Sequence, residues 1–363
     1  MNIVKIGNPQ IIMDNPGSRH NYFGWPTAAR LQNGKIAVAA SGFRLRHICP
    51  FGKTVVSYSE DDGRTYSRPA PVIDTVLDDR DGGIVPFGTS GVIVTSFNNT
   101  AEFQRKYAQS DYDRGYLDLV KPEEEAAVLG ATFRISDDCG VTFGPLYKSP
   151  VTSPHGPVEM PDGSLLWVGR TFSANDAHRV GVDCVEAHKV NLDGTTEYVG
   201  AIDNIVIDGK AALSCEPHAI VLPDGTLLAH IRVQMENNRI FTVYQAESRD
   251  GGRTWSKPRQ LLSDDGGSPP HLFMHSSGVL ISTYGFRGTP HGTAPFGIRA
   301  MISTDNGRTW DIDHEIYKTD VSADLGYPST VECRDGSLLT VFYAVPEENG
   351  PAVIMQQKWC LEL

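Results

Sequence analysis

The chain has 363 residues, of which 40% are hydrophobic and 21% charged. Its 36 glycines and 23 prolines indicate many tight turns between short segments, as in a turn-rich globular fold and unlike a disordered chain. Acidic residues outnumber basic ones by 44 to 32, the net charge is −12, and no run of Lys and Arg exceeds two, so we expect no nucleic-acid partner.

The amino terminus, MNIVKIGNPQIIMDNPG, contains one early lysine but no apolar core of roughly 7–15 residues and no small-residue cleavage site. The longest apolar stretches of the chain fall far short of the roughly 20 residues that a membrane span requires. We therefore expect a cytoplasmic chain with no membrane partner.

Six segments in chain order share one pattern, a short polar turn that ends in glycine followed by an apolar or alternating strand. They are LQNGKIAVAAS, GTSGVIVTSF, MPDGSLLWVGR, LPDGTLLAHIR, HSSGVLISTYG and CRDGSLLTVFY. The turn glycines, which lie 57, 72, 62, 53 and 58 residues apart, are Gly34, Gly91, Gly163, Gly225, Gly278 and Gly336. Units of about 60 residues that contain several strands and repeat four to eight times are typical of propeller blades. The sequence thus predicts an all-β fold, one six-bladed β-propeller domain over residues 1–363.

A second motif, Ser-x-Asp-x-Gly-x-Thr-aromatic, occurs four times. The copies are SEDDGRTY (Ser59 to Tyr66), SDDCGVTF (Ser136 to Phe143), SRDGGRTW (Ser248 to Trp255) and STDNGRTW (Ser303 to Trp310). A fainter trace, NLDGTTEY, lies midway across the 112-residue gap between the second and third copies. The Asp can cap the turn through backbone N–H groups while the aromatic ring packs between blades, so we predict a structural role.

The end segments IVKIGNPQIIM and AVIMQQKWCLEL both have strand character, and one of them would complete the last blade.

The repeat also predicts which residues converge on the propeller axis. Counting back from each hairpin glycine to the start of the first strand gives Trp25 with Pro26, Asp81 with Gly82, His155 with Gly156, Glu216 with His218, Pro270 with His271, and Tyr327 with Pro328. Counting forward to the end of the second strand gives Arg44, Asn98, Arg170, Arg232, Arg287 and Tyr343. Because guanidinium groups hold carboxylates in bidentate geometry, this cluster in an acidic protein indicates a small anionic ligand.

At these positions the chain resembles the sialidase superfamily. The propellers of that superfamily carry the same Ser-x-Asp-x-Gly-x-Thr-aromatic motif, which is called the Asp-box. The segment DLGYPSTVECRDGSLLTVFY resembles the one that bears the nucleophilic tyrosine, which implies that role for Tyr327. CEPHAIVLPDGTLLAHIR is similar to the stretch that supplies its glutamate partner and a carboxylate-binding arginine, here Glu216 and Arg232. DDRDGG resembles the start of the second blade and matches Asp81. The last arginine of the family's triad corresponds to either Arg287 or Arg299.

Two departures from the sialidase pattern alter carboxylate recognition and leaving-group protonation. The motif that holds the first triad arginine reads YFGWPTAA here, with Gly24 at the arginine position. The loop that follows Arg44 reads GFRLRHICPFGK and contains no acid, so either His47 or Arg46 would occupy the vacant positions. Trp25 could offer a stacking face for a sugar ring.

The resemblance implies an exo-acting glycoside hydrolase on a small acidic sugar. Tyr327 and Glu216 would form the nucleophile pair, and Asp81 and His47 would supply acid and base. The expected substrate-binding residues are Arg44, Arg232, Arg287, Arg299, Trp25, His155, His218 and Arg170. Two alternatives stay open, a uronate-specific polysaccharide lyase and a glycan-binding propeller without activity. We expect a carbohydrate partner, no cofactor and no metal, and the sequence leaves the oligomeric state open.

Overall fold

The computed structural model describes residues 1–172, 184–235, 240–262 and 267–362, and the chain forms a six-bladed β-propeller, which confirms the predicted fold class. Twenty-seven strands occupy the described residues. In chain order they begin with β1 (Asn2–Met13), the first blade β2 (Tyr22–Arg30), β3 (Ile36–Arg44), β4 (Lys53–Ser59) and β5 (Ala70–Ile73), and the second blade β6 (Arg80–Phe87), β7 (Gly91–Phe97), β8 (Ala131–Ser136) and β9 (Tyr147–Ser149).

The third blade has an interrupted first strand. It consists of β10 (Val151–Thr152), β11 (Val158–Glu159), β12 (Leu165–Thr171), β13 (Val185–Val190) and β14 (Thr196–Ile202), and is followed by the small hairpin β15 (Val206–Ile207) and β16 (Lys210–Ala211). The fourth blade comprises β17 (Leu213–Val221), β18 (Leu227–Gln234), β19 (Phe241–Ser248) and β20 (Arg259–Gln260). The fifth comprises β21 (Pro270–Met274), β22 (Leu280–Phe286), β23 (Phe296–Ser303) and β24 (Asp311–Thr319).

The two chain ends close the ring together. The sixth blade contains β25 (Gly326–Glu332), β26 (Leu338–Ala344) and β27 (Val353–Glu362), and β1 pairs antiparallel with β27 as its outermost strand. The register begins with Asn2 opposite Glu362. The first and last residues of the described chain are therefore held in one sheet.

The second strand of each blade is buried on both faces by its neighbours. β22 and β26 have no exposed residue, because their runs of Leu, Val, Ile, Thr and aromatic side chains pack against adjacent blades on either side. The core is thus a series of apolar layers between blades, such as the cluster that joins Trp359 of β27 to Ile302 and Ile316 of the fifth blade.

The four Asp-boxes occupy the turns between third and fourth strands. In the fifth-blade copy, Asp305 accepts hydrogen bonds from the Thr309 backbone N–H at 2.9 Å and from its hydroxyl at 2.6 Å, and Ser303 Oγ accepts from the Gly307 N–H at 2.9 Å. The Trp310 indole donates to Gln245 of the fourth blade at 2.9 Å. The boxes have the geometry predicted for a structural role, and the fainter trace NLDGTTEY lies at the equivalent turn of the third blade, between β13 and β14.

A helical insertion separates β7 from β8. It contains α1 (Ala101–Lys106), α2 (Asp111–Leu119) and α3 (Pro122–Val128). The insertion packs on the first blade, where the ring of Phe51 stacks on Tyr112 and contacts Tyr116 at centroid distances of 4.8 and 4.9 Å. None of these helices is long and apolar enough to cross a membrane, and they are the only helices among the described residues.

We predict that Asp305→Ala lowers the free energy of unfolding by about 1 kcal/mol, because the turn loses an acceptor for backbone N–H groups, as when a helix N-cap is removed. Urea denaturation monitored by tryptophan fluorescence measures this change. Thr304→Ala, an exposed position in the same turn, is the matched control and should leave stability within about 0.5 kcal/mol. Equal stability of the two variants would contradict a role for the box in holding neighbouring blades.

Candidate active site

Four first strands carry the same irregularity where they reach the rim of the propeller. One residue in each adopts a left-handed backbone conformation, with φ of 54° at Trp25, 51° at Asp81, 48° at Glu216 and 50° at Tyr327. The strand pairing shifts register at each of these positions. Such a conformation is unfavourable for residues with a side chain and is found where a bulge re-aims a functional group. All four side chains line one cavity.

The cavity has a volume of about 240 Å³ and lies at the axis on the rim that the repeat predicted. Its other lining residues come from the first strand of the second blade, the ends of second strands, the loop between β3 and β4, and the helical insertion with the segment that precedes it. They are His47, Ile48, Arg80, Phe97, Asn99, Phe103, Tyr107, Arg170, Arg232 and Arg287.

Tyr327 and Glu216 form the centre of the cavity's hydrogen-bond network. The Tyr327 hydroxyl donates to Glu216 Oε1 at 2.6 Å, and Arg232 Nη1 donates to Glu216 Oε2 at 2.7 Å. The same Nη1 lies 3.5 Å from the Tyr327 oxygen. Burial, together with the charges of Glu216 and Asp81, raises the pKa of Tyr327 well above its usual value, against a smaller opposing effect of Arg232. The tyrosine is therefore a neutral hydroxyl with its proton directed at a carboxylate.

Asp81 lines the same cavity, and its carboxyl group titrates near neutral pH. Burial raises its pKa to about 7, with a further contribution from the charge of Glu216, and nearby arginines only partly offset this rise. A carboxylic acid that titrates near neutral pH can both donate and accept a proton under ordinary conditions.

The arginines divide between the cavity and its surroundings. Arg170, Arg232 and Arg287 line the cavity, as predicted from their strand ends. Arg287 Nε and Nη2 donate to the Leu325 carbonyl at 3.2 and 3.1 Å. Arg299 pairs with Asp313 at 2.8 Å and stacks on Phe286, outside the lining. The alternative between Arg287 and Arg299 is thus resolved in favour of Arg287 as the residue that faces the site.

Arg44 and Arg46 of the first blade are held away from the cavity by carboxylates. Arg44 is fully buried and pairs with Asp78 at 2.5 Å, and Arg46 pairs with the buried Asp113 of α2. Neither belongs to the lining, so the structure places Arg44 behind the site as a support. Of the two candidates for the vacant loop position, His47 is the one that reaches the cavity.

His47 belongs to a polar cluster around Asp324. Its Nδ1 lies 3.2 Å from Asp324 and 3.0 Å from the Tyr22 hydroxyl, and Tyr22 and Tyr343 donate to Asp324 at 2.9 and 3.0 Å. Burial of Asp324 raises its pKa, but these hydrogen bonds outweigh it and hold the pKa at about 2. Asp324 is therefore an anionic carboxylate held by two tyrosines whose rings border Gly24, and it was not predicted.

Trp25 lines the cavity, and two guanidinium groups lie near its ring. The guanidinium of Arg80 lies 4.0 Å from its ring centroid and that of Arg44 lies 4.8 Å away. The ring is almost fully buried, with 1% of the residue exposed, so its faces are largely covered in this structure. Arg80 also donates to the His47 carbonyl at 2.7 Å.

His155 and His218 lie elsewhere, together with His271, in a second cavity of about 420 Å³ on the axis. Their ring centroids are 4.5–5.2 Å apart, and all three rings are buried. The bulge explains the separation, because it directs Glu216 to the rim while His218, two residues later, points along the channel. Burial lowers the pKa of all three, to about 3 for His218.

The sequence reasoning missed Arg80 and three residues on or next to the helical insertion, Asn99, Phe103 and Tyr107. Arg80 directly precedes the predicted Asp81. The 72-residue spacing between Gly91 and Gly163, the longest of the five, was the signal for an insertion. Within the described residues, no group of three or more His, Cys, Asp or Glu side chains is arranged to hold a metal ion.

Comparison with known proteins agrees with the propeller fold. Residues 118–341, more than half of the chain, match the BNR repeat-like domain. The chain belongs to the BNR repeat-like domain family. The prediction of a sialidase-like, BNR-repeat superfamily member is thereby confirmed. No curated protein matches the sequence.

Three solved structures illustrate what this BNR repeat-like protein resembles. A protein of unknown function from Dyadobacter fermentans aligns with a TM-score of 0.76 at 19% identity over 99% of this chain and 100% of the other. NanB sialidase from Streptococcus pneumoniae aligns with a TM-score of 0.68 at 13% identity, over 99% of this chain and 71% of the other. The α-L-arabinofuranosidase of Fusarium graminearum aligns with 0.63 at 15% identity, over 98% of both chains. At these identities the likeness establishes a shared, glycosidase-like propeller fold.

We predict that the buried histidines make the BNR repeat-like protein less stable as the pH falls below about 6.5. Unfolded histidine takes up a proton there, whereas folded His218 does not until about pH 3, so the unfolded state gains protons. Asp79 and Asp81, whose pKa values burial raises to about 7, act in the opposite direction. The free energy of unfolding is therefore measured by urea denaturation for wild type and for His218→Gln, each at about pH 7 and about pH 4.5, and the two pH-dependent changes are compared.

The variant should lose less stability than wild type on acidification, by about 2 kcal/mol. Parallel pH profiles for the two proteins would show that His218 is protonated in the folded state and would contradict the buried neutral ring.

Proposed function

We propose that this protein is an exo-acting glycoside hydrolase on a small acidic sugar, with Tyr327 as nucleophile and Glu216 as its base. The observation that carries this proposal is the 2.6 Å hydrogen bond from the Tyr327 hydroxyl to Glu216 at an enclosed, arginine-lined cavity. Strained backbone at both residues supports it, because folding alone gives no reason to hold two bulged side chains together.

The chemistry follows from the charges. A sugar with a carboxylate on its anomeric carbon would repel an anionic nucleophile, and Tyr327 is neutral until it reacts. As the Tyr327 oxygen bonds to the anomeric carbon, its proton passes to Glu216 and the glycosidic C–O bond breaks. Water then attacks the anomeric carbon, the Tyr–carbon bond breaks, and Glu216 returns the proton to the phenolate.

Asp81 is the proposed acid and base of the same cycle. Its protonated form gives the leaving-group oxygen a proton in the first step, and the resulting carboxylate accepts a proton from the attacking water in the second. The pKa of about 7 makes both forms accessible. His47, at the mouth of the cavity and fixed by Asp324, is proposed to orient the leaving group beside Asp81.

Substrate recognition is proposed to depend on the arginines. Arg232 is already paired with Glu216, so its guanidinium group lies between the nucleophile pair and the place where the substrate anion would bind. Arg80, Arg170 and Arg287 supply further positive charge on the lining, against the carboxylates of Asp81 and Glu216. This balance favours an anionic sugar. The structural likeness to a sialidase and to an arabinofuranosidase supports a glycosidase in general and leaves the sugar to experiment.

We predict that Tyr327→Phe lowers kcat about a thousandfold, because the ring remains but the nucleophilic oxygen is lost. Arg232→Ala should lower both substrate affinity and turnover. The substrate comes from a screen of aryl glycosides and of plant and host oligosaccharides that include sialic and uronic acids, followed by mass spectrometry of the products. Tyr284→Phe, which removes a buried hydroxyl in the fifth blade, is the control and should retain activity.

Unchanged turnover in both Tyr327→Phe and Arg232→Ala would refute the proposed mechanism. An unsaturated uronate among the products would indicate elimination instead of hydrolysis. Intact glycan bound for hours without product would indicate a binding protein.

We predict that kcat/KM falls as the pH rises through about 7, because only protonated Asp81 can donate to the leaving group. Asp81→Asn should remove this alkaline limb and lower kcat/KM by at least about a hundredfold for substrates with a sugar leaving group. A nitrophenyl leaving group needs little protonation, so the loss should be much smaller with that substrate. An equal loss for both leaving groups would contradict the acid role.

A further inference from the structure

The catalytic cavity is small compared with the substrate of a glycosidase. Its volume of about 240 Å³ lies below the roughly 300–1,000 Å³ of ordinary ligand pockets, and is sufficient for about one sugar ring. A glycosidic bond joins two groups, so in an exo-acting enzyme the leaving group must lie outside the cavity, against its mouth. The residues at that mouth then determine which linkages fit.

We propose that Phe103 and Tyr107 of the helical insertion form the leaving-group subsite, an aromatic platform on which the sugar next to the cleaved bond stacks. This inference rests on the proposed function, since it assumes that a glycosidic bond is positioned at Tyr327. The ligand that it identifies is a second pyranose or furanose ring, whose C–H face packs on an aromatic ring.

The exposure of Tyr107 supports this assignment. Its ring contacts Phe103 at a centroid distance of 5.1 Å, and both residues line the cavity. Phe103 is 8% exposed, whereas Tyr107 is 46% exposed. The platform thus has a buried base and an open outer ring, the arrangement in which an aromatic side chain offers one apolar face to a ligand.

The platform is rigidly held, which lowers the entropic cost of binding. Thr100 caps α1 by accepting from the Phe103 N–H at 3.1 Å, and the buried Gln104 side chain donates to the Asn99 carbonyl at 2.8 Å. The Tyr107 N–H donates to the Gln104 carbonyl at 3.1 Å. Ala101 packs in an apolar cluster with Leu117 of α2.

The position of the insertion within the propeller agrees with the proposed direction of cleavage. Asp81, the proposed donor to the leaving-group oxygen, lies on β6, and the insertion leaves the end of β7 in the same blade. The leaving group must face its acid, and it therefore extends over the second blade. Phe103 and Tyr107 are the aromatic residues that this blade's insertion adds to the cavity lining.

The test compares Tyr107→Ala with wild type on matched probes that share a terminal sugar and differ in the leaving group. The probes are the methyl glycosides of N-acetylneuraminic acid and galacturonic acid, 3′-sialyllactose and digalacturonic acid. We expect kcat/KM for the oligosaccharide that is cleaved to fall about five- to tenfold more than that for its methyl glycoside, because only the oligosaccharide has a second sugar ring. Tyr107→Phe keeps the ring and should retain wild-type values, as should Leu119→Ala, an exposed control on α2.

Equal effects on the two probes, or no effect on either, would overturn the subsite. If neither protein cleaves any probe, the proposed function fails, and retention of the same oligosaccharides on immobilised protein decides the subsite separately. Weaker retention by Tyr107→Ala than by Tyr107→Phe would uphold the platform. Equal retention by the two variants, or none by wild type, would reject it.

Discussion

The pairing of the two chain ends in one sheet is the constraint on which the rest of the structure depends. β1 adds to the outer edge of β27, so the sixth blade is completed by the first residues of the chain and the ring is closed. Closure brings the first strand of every blade to a common axis. Residues that lie far apart in sequence, such as Asp81, Glu216 and Tyr327, can then line a cavity of one sugar's size.

Within that ring, the bulges separate two functions of the first strands. A left-handed residue turns Glu216 toward the rim, and the strand then resumes its alternation so that His218 points into the channel. The rim cavity contains arginines and carboxylates, whereas the channel contains three buried neutral histidines. Backbone conformation, more than residue type, decides which polar group faces the rim cavity and which faces the channel.

The charged and polar groups of the rim form two hydrogen-bond networks. The Tyr327, Glu216 and Arg232 network occupies the positions that the resemblance implied. In the second network, Asp324 is an anionic centre for Tyr22, Tyr343 and His47. Arg80, stacked on Trp25, supplies positive charge nearby. The rim thus contains two hydrogen-bonded carboxylates, Glu216 and Asp324, and the guanidinium groups of Arg80 and Arg232.

The repeat of hairpin glycines and Asp-boxes was sufficient to predict the six blades, because each motif specifies a local turn whose geometry depends on adjacent residues alone. The same count placed Asp81, Glu216, Tyr327 and the second-strand arginines at the rim. Three features required the tertiary structure: the choice of Arg287 over Arg299, the burial of Arg44 against Asp78, and the addition of Phe103 and Tyr107 to the cavity lining. Each depends on which side chains from distant blades or insertions compete for the same space, and a one-dimensional pattern does not contain those contacts.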